Sequence, residues 1–495
     1  MIESAIAFGV LLAAPPLMLP WAALAVPADS RGAWGLRIAL ALALSAGLIW
    51  AIMLTLGLLL LPLDAVLIMI IYGVVVLAGL LTARKRTHWS RPALPESTKE
   101  RLVFGLVLAL CAAILFNGLY FPLYRDDALG IYGPQAAEIA RTKALIPLRG
   151  ADTLYRAYPM LVQFSMAFAY DLAGWQNDSL AKLIPTLLSL GCFAAVYAVC
   201  IQGNSTRAAW ISVLVLALIP SIGRWASAGY VDLPMAFFYT LGAAFLIRLY
   251  QRKSVTDAVV SGMLFGLAAQ TKNAGLIGVG LFGLCLGWGV IAGQIRFRLA
   301  ALSLAVCAVV TAPWYLRTLS EAGMIFPPTA WVDQAERTLE SLLIFVTLTN
   351  NFGAVGTALL AALILLPLAW LIRRGTPLLS DNVRIMFRLL ALLTLPFFMA
   401  WWLFASYDPR FLLLFTPLLC VPVGWALTRP IPISPQQKRL AHTVGLIAAA
   451  ALIGFNTYHS VDYKDDILRH PLMTYDEKLI LVGRDLAGFQ PPVSP

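Results

Sequence analysis

An all-α, polytopic membrane fold is what this sequence predicts, and three observations predict it. The 495 residues are 60% hydrophobic and only 12% charged, a composition foreign to soluble domains. Apolar runs long enough to cross ~30 Å of hydrocarbon recur along the whole chain. Short loops rich in Lys and Arg alternate with loops that hold most of the acids. Helices follow because each backbone amide in lipid must be paired within its own segment.

Taken in order, about fourteen transmembrane helices are expected, at 4–27, 36–60, 64–83, 102–121, 180–201, 208–222, 232–250, 256–270, 274–293, 299–317, 354–372, 387–405, 411–428 and 440–457. The first has only Glu3 ahead of its apolar run. It lacks the basic stretch of a secretory signal and is read as a helix of the mature chain. All six cysteines (Cys111, Cys192, Cys200, Cys285, Cys307, Cys420) fall inside these spans, without metal spacing, and read as small buried hydrophobes.

The loops 28–37, 84–101, 202–207, 248–257, 294–298, 373–388 and 429–439 are basic, for example Arg84-Lys85-Arg86 and Arg373-Arg374. The positive-inside rule makes them cytoplasmic. The net charge of +11 is therefore mostly anchoring; no basic stripe interleaved with aromatics points to nucleic acid. Residues 1–457 form one transmembrane unit, with a first outer loop at 122–179 and a second at 318–353, followed by a short outer tail at 458–495. None of these pieces is large enough to fold alone.

Within the first outer loop, Asp127 to Lys143 has the pattern of a short juxtamembrane amphipathic helix, with Ile131, Ala136, Ile139 and Ala140 opposite Gln135, Glu138 and Arg141. Residues 159–173 are apolar but too short to span, and are expected in the membrane interface. Trp89, Trp175, Trp225, Trp314, Trp331, Trp401 and Trp402 sit near span ends, as an aromatic belt would.

Chemistry is first sought at Asp126 and Asp127, adjacent carboxylates just past the span that ends near Tyr120. Adjacent like charges repel and gain nothing structurally, so a use is implied. Other polar groups collect on the same face: Arg125, Asp232, Lys272, Arg317, Asp408 and Arg410. Each has a plainer reading. Asp232 before Leu-Pro suits a helix N-cap, Lys272 a cation at a helix C-terminus and Arg317 a snorkelling anchor. Asp408 and Arg410 suit a pair across a turn. Together they offer carboxylates for a general base and separated cations for a phosphate. A lipid with an apolar tail, a phosphate at headgroup level and a sugar outside would use all of them.

From about 102 to 428 these residues resemble the GT-C superfamily of polytopic glycosyltransferases, which includes protein O-mannosyltransferases and bacterial aminoarabinose transferases. The likeness rests on Asp126-Asp127-Ala128, on Asp127-Ala128-Leu129 spaced from Pro134, on Tyr158-Pro159 and on Asp232-Leu-Pro234. It continues in Thr271-Lys272-Asn273-Ala-Gly275, Ala312-Pro-Trp-Tyr-Leu-Arg317 and Tyr407-Asp-Pro-Arg410-Phe411. Four spans precede the acidic loop, the second acid is Asp where Glu is common, and the tail is too small for a soluble acceptor-binding domain. The resemblance implies a polyprenyl-phosphate-linked sugar donor, a glycan or lipid-borne acceptor, and an active site facing the periplasm from a bacterial inner membrane. It implies an inverting single displacement with Asp126 or Asp127 as base. Arg125, Lys272, Arg317 or Arg410 would hold the lipid phosphate, and Tyr132, Tyr158, Asp232 and Asp408 would contact substrate. Asp127 and Asp232 would suit Mg²⁺ or Mn²⁺, though members differ in metal need.

Two rivals share parts of this chemistry. A lipid-linked-sugar flippase or other transporter also needs intramembrane charge, but such proteins have related halves and a site near the midplane. Here the charges gather at one face and no repeat is visible. A glycan polymerase or ligase using polyprenyl diphosphate differs only in its donor. The orientation is directly testable. The Asp152→Cys and Thr474→Cys variants should react with a membrane-impermeant maleimide added outside, and Arg86→Cys should not. Labelling of Arg86→Cys alone would put the acids in the cytoplasm.

Overall fold

The computed structural model describes residues 2–28, 30, 32–86, 97–148, 153–325, 332–348, 350–370, 380–429 and 435–483. Trp89, Asp152, Trp331 and Arg373-Arg374, invoked above, lie outside the described residues. The fold is all-helical, with no strand among the described residues.

The chain opens with α1 (Ile2–Leu17) and α2 (Leu19–Ala25). Pro15 and Pro16 remove donors from the ladder, so the first expected span is two helices in tandem. Next come α3 (Ala33–Leu58), α4 (Ala65–Arg86) and α5 (Thr98–Tyr120). Ser97 and Glu100 close a capping box at the start of α5, which fixes where it begins. The first outer loop holds α6 (Gly133–Thr142), α7 (Thr153–Arg156) and α8 (Leu161–Ala173). Beyond it run α9 (Asp178–Ala181), α10 (Leu183–Cys200), α11 (Thr206–Ala217) and α12 (Pro220–Ala226). The central set is α13 (Asp232–Arg252), α14 (Val255–Thr271), α15 (Gly275–Ile291) and α16 (Phe297–Ala322). Then follow α17 (Leu339–Thr347), α18 (Gly356–Leu365), α19 (Asp381–Phe404), α20 (Thr416–Ala426) and α21 (Pro435–His459). Two short helices, α22 (Lys464–Arg469) and α23 (Tyr475–Leu481), complete the described chain.

Among the described residues, eight helices or tandem helices are long and apolar enough to cross a membrane, or nine if α11 and α12, bent by 70°, count as one broken span. Several of the other expected spans coincide with shorter apolar helices, including α15, α20 and the end of α21. The 70° bend falls where Pro220 starts α12, since proline cannot continue the ladder from α11.

The core is built around α13, whose apolar window is entirely enclosed. It forms a hairpin with α14, and α14 packs on α16 through small residues. A Cβ at Gly262 would lie 2.2 Å from the Ser303 carbonyl oxygen, and Ser303 donates to the Ala258 carbonyl at 2.6 Å. Small side chains let the two backbones approach, and close approach is what holds helices together where lipid is as apolar as leucine.

Two expectations about the membrane boundary are corrected. Helix α8 is not an interfacial helix: residues Leu161 through Tyr170 are all buried, packed against α6, α1 and α3. Its polar residues find partners inside, Gln163 donating to Gln135 at 3.1 Å, so it needs no aqueous face. Two of the tryptophans expected in the aromatic belt are also enclosed by protein. Trp314 and Trp401 are buried, donating to the carbonyls of Ala157 at 3.2 Å and Asp408 at 3.1 Å. Their indole N–H groups are satisfied by loop backbone rather than by headgroups.

At the end of α13 remote from Asp232, Arg248 pairs with Asp257 of α14 at 2.8 Å, both side chains almost fully buried. Asp257→Ala strands a buried guanidinium and should cost roughly 3–5 kcal/mol, read as a lower melting temperature of the purified protein. Adding Arg248→Met should recover much of the loss. A double variant as unstable as the single one would mean that the aspartate acts through something other than this pair.

Candidate active site

Four breaks between helices meet at one end of the bundle. The first is the loop after α5. It runs in extended backbone from Phe121 and enters a π-helical turn at Ala128–Tyr132 before α6. The second is the link from α12 to α13, which delivers Tyr230 and then Asp232 as the first residue of α13. The third is the break between α14 and α15. Lys272 leaves α14 in extended conformation, and Gly275 restarts the helix against the Ala268 carbonyl, where a Cβ would sit at 2.4 Å. The fourth follows α19, where Asp408 caps a 3₁₀ helix, Pro409–Leu414, by accepting from the Arg410 amide at 2.8 Å.

Arg410 is the hub. Its guanidinium lies 2.9 Å from the Asp127 carboxylate, 3.4 Å from Asp408 and 3.6 Å from Asp232. Lys272 is ion-paired to the other oxygen of Asp232. Aromatic rings frame both cations: Arg410 stands 4.7 Å from the Tyr230 ring, 5.4 Å from Trp225 and 5.1 Å from Phe411, and Lys272 stands 3.8 Å from Phe411. Such faces stabilise cations that have lost water. The Asp127 amide donates to the Tyr230 hydroxyl at 3.1 Å, so both backbone and side chain of Asp127 are held.

Burial grades the carboxylates. The Asp232 side chain is 1% exposed, whereas those of Asp408 and Asp127 are 29% and 31% exposed. Burial pushes the Asp408 carboxyl above its ordinary range, with Arg410 opposing. Burial also raises the Tyr158 and Tyr230 hydroxyls to about 12, so both stay protonated at neutral pH. Tyr132 is buried and meets the Tyr230 ring edge-on at 6.2 Å.

The remaining expected residues divide. Asp126 is exposed and makes no ion pair among the described residues. Arg125 pairs instead with Asp462, at 3.1 Å. Arg317 is committed to Glu321, at 2.8 Å, and to the Ile146 carbonyl, at 2.6 Å. Sequence reading missed Tyr230, Trp225 and Asp462; a ring or carboxylate hundreds of residues from its cation leaves no local pattern. Asp127 and Asp232 both face Arg410, which takes the position between them that a divalent cation would need. No group of three Asp, Glu, His or Cys side chains converges as metal ligands among the described residues.

The arrangement gives a half-exposed carboxylate beside a buried, cation-rich wall at the bundle's end. Residues 157–316 match the family model for dolichyl-phosphate-mannose-protein mannosyltransferases, a stretch that includes Tyr158, Asp232 and Lys272. No curated protein matches the sequence. Among solved structures, ArnT from Cupriavidus metallidurans bound to undecaprenyl phosphate is 18% identical, with a TM-score of 0.53 over 72% of this chain and 76% of that one. Its apo state gives 18%, 0.52, 72% and 75%. The Archaeoglobus fulgidus oligosaccharyltransferase in complex with Zn and sulfate is 16% identical, with a TM-score of 0.50 over 73% of this chain but only 53% of that one. At such identities the likeness is one of fold, an all-helical membrane architecture shared with these glycosyltransferases.

Proposed function

We propose that the chain transfers a sugar from a polyprenyl-phosphate donor to a glycan or lipid-borne acceptor at the periplasmic face of a bacterial inner membrane, with Asp127 as general base. The observation that carries this reading is the contrast between Asp127 and its neighbours. Asp127 is half-exposed, fixed at its amide by Tyr230 and at its carboxylate by Arg410. Asp126 has no such support, and Asp232 is sealed between Lys272 and Arg410. A base must be oriented yet reachable, and of Asp126, Asp127 and Asp232 only Asp127 meets both conditions.

The reaction this supports is one displacement. An acceptor hydroxyl or amine attacks the anomeric carbon while its proton passes to Asp127. The bond from that carbon to the phosphate oxygen breaks with inversion, and the electron pair leaves on the phosphate. Lys272 and Arg410 are placed to stabilise the charge that develops there. Their present partners are three carboxylates, Asp127, Asp232 and Asp408, so a phosphate would share these cations and not find them free. A small apolar recess lined by Phe352, Leu359, Leu363, Phe398, Leu412 and Phe415 adjoins the 3₁₀ helix that carries Arg410.

Purified protein given a labelled polyprenyl-phosphate sugar should release or transfer the sugar. Movement of the lipid without chemistry would establish a flippase instead. Asp127→Asn should lower turnover by roughly 10²–10⁴-fold with donor binding retained, and Asp126→Asn should have a much smaller effect. The opposite ranking would reassign the base to Asp126. Lys272→Ala should weaken donor binding by about ten- to a hundredfold, as loss of a charge-assisted hydrogen bond does, with Lys272→Arg restoring part of it. An affinity unchanged within about twofold would make Lys272 a structural partner of Asp232 only.

A further inference from the structure

The segment after α21 takes no part in the cluster around Arg410, yet it grips the loop that delivers Asp127. Asp462 is its anchor. One carboxylate oxygen accepts from the Asn117 side chain at 2.9 Å and from the Tyr124 hydroxyl, and the other pairs with Arg125 at 3.1 Å. Its amide donates back to the Asn117 side chain at 2.9 Å. Asn117 lies in the last turn of α5, so both ends of the stretch from 117 to 125 are tied to one residue. The Tyr463 ring packs beside Phe121 at 5.5 Å and Tyr124 at 6.0 Å. Farther along, the Tyr120 hydroxyl donates to the Pro471 carbonyl at 3.2 Å, and Lys478 stands over the Tyr120 ring at 3.8 Å.

The contacts extend to the reacting end. Arg125 lies 5.9 Å from the Trp225 ring, and Arg410 faces the same ring at 5.4 Å. Asn117 also donates to Ser227 at 2.9 Å, in the link that delivers Tyr230. Arg125 directly precedes Asp126 and Asp127 in the chain, so its pairing with Asp462 fixes the backbone that leads into Asp127.

We propose that Asp462 is a positioning residue for the transfer reaction. Through Asn117, Tyr124 and Arg125 it fixes the loop so that Asp127 meets Arg410. This rests on Asp127 being the base, but the anchoring has a readout of its own.

The experiment uses the full chain carrying Asp126→Cys as a reporter and an impermeant maleimide as the probe, with Glu336→Cys as a control on the second outer loop. Asp462→Ala should speed labelling at Asp126→Cys several-fold and leave Glu336→Cys unchanged. In the chain without reporters, Asp462→Ala should lower kcat by about ten- to a hundredfold, the scale for losing hydrogen bonds to a charged group. KM for a labelled polyprenyl-phosphate sugar should stay within about threefold and Asp462→Glu should recover part of the rate. Equal labelling rates with and without Asp462→Ala would overturn the proposal. So would a loss of activity that only tracks a lower melting temperature and is not recovered by Asp462→Glu. If the unsubstituted chain transfers no sugar but labelling responds as expected, the transferase reading fails while the anchoring of the loop by Asp462 stands.

Discussion

Asp232 is a carboxylate buried at the end of the most enclosed helix in the molecule, held between Lys272 and Arg410. Such a charge is tolerable only if paired, because its desolvation cost otherwise exceeds what a domain can sustain. That requirement draws three separate breaks together: the start of α13, the gap between α14 and α15, and the 3₁₀ helix after α19. Arg410, once held there, has a further face for Asp127. The acidic loop is thus located by a chain of ion pairs that begins in the core.

The packing beneath this arrangement has the same logic. Gly262 and Ser303 let α14 and α16 approach to backbone contact, which stiffens the hairpin that carries Asp232 and Lys272 on its two arms. The far end of that hairpin is closed by Arg248 and Asp257. A rigid α13–α14 pair with a buried ion pair at each end can hold Asp232 and Lys272 in register while the loops around them differ in length and conformation. The loop after α5 is held from outside by Asp462 and Tyr463, so it is fixed between the bundle and the segment after α21.

The two misplaced expectations share a cause. Helix α8 reads as interfacial because it is apolar yet too short to span, and Trp314 and Trp401 because they sit near span ends. In a bundle this broken, many helix ends are covered by neighbouring loops, and a buried carbonyl serves an indole N–H as well as a headgroup does. Hydropathy reports that a segment avoids water. It does not say whether lipid or protein replaces the water.

Several features were legible in the sequence. The helical class follows from 60% apolar composition and recurrent long runs, because lipid leaves the backbone no other pairing. The amphipathic stretch through α6, the break at Lys272, and the carboxylates and cations of the site were marked by residue type: glycine and charge stand out against an apolar background. Tertiary structure alone decided how they combine. Asp126 and Asp127 are equivalent in sequence, and only the placement of Arg410 and Tyr230 separates them. Arg125 and Arg317 look as available as Lys272 until Asp462 and Glu321 are seen to hold them. Pairing of this kind depends on which loops share one end of the bundle. That is set by helix packing across hundreds of residues, and no local pattern encodes it.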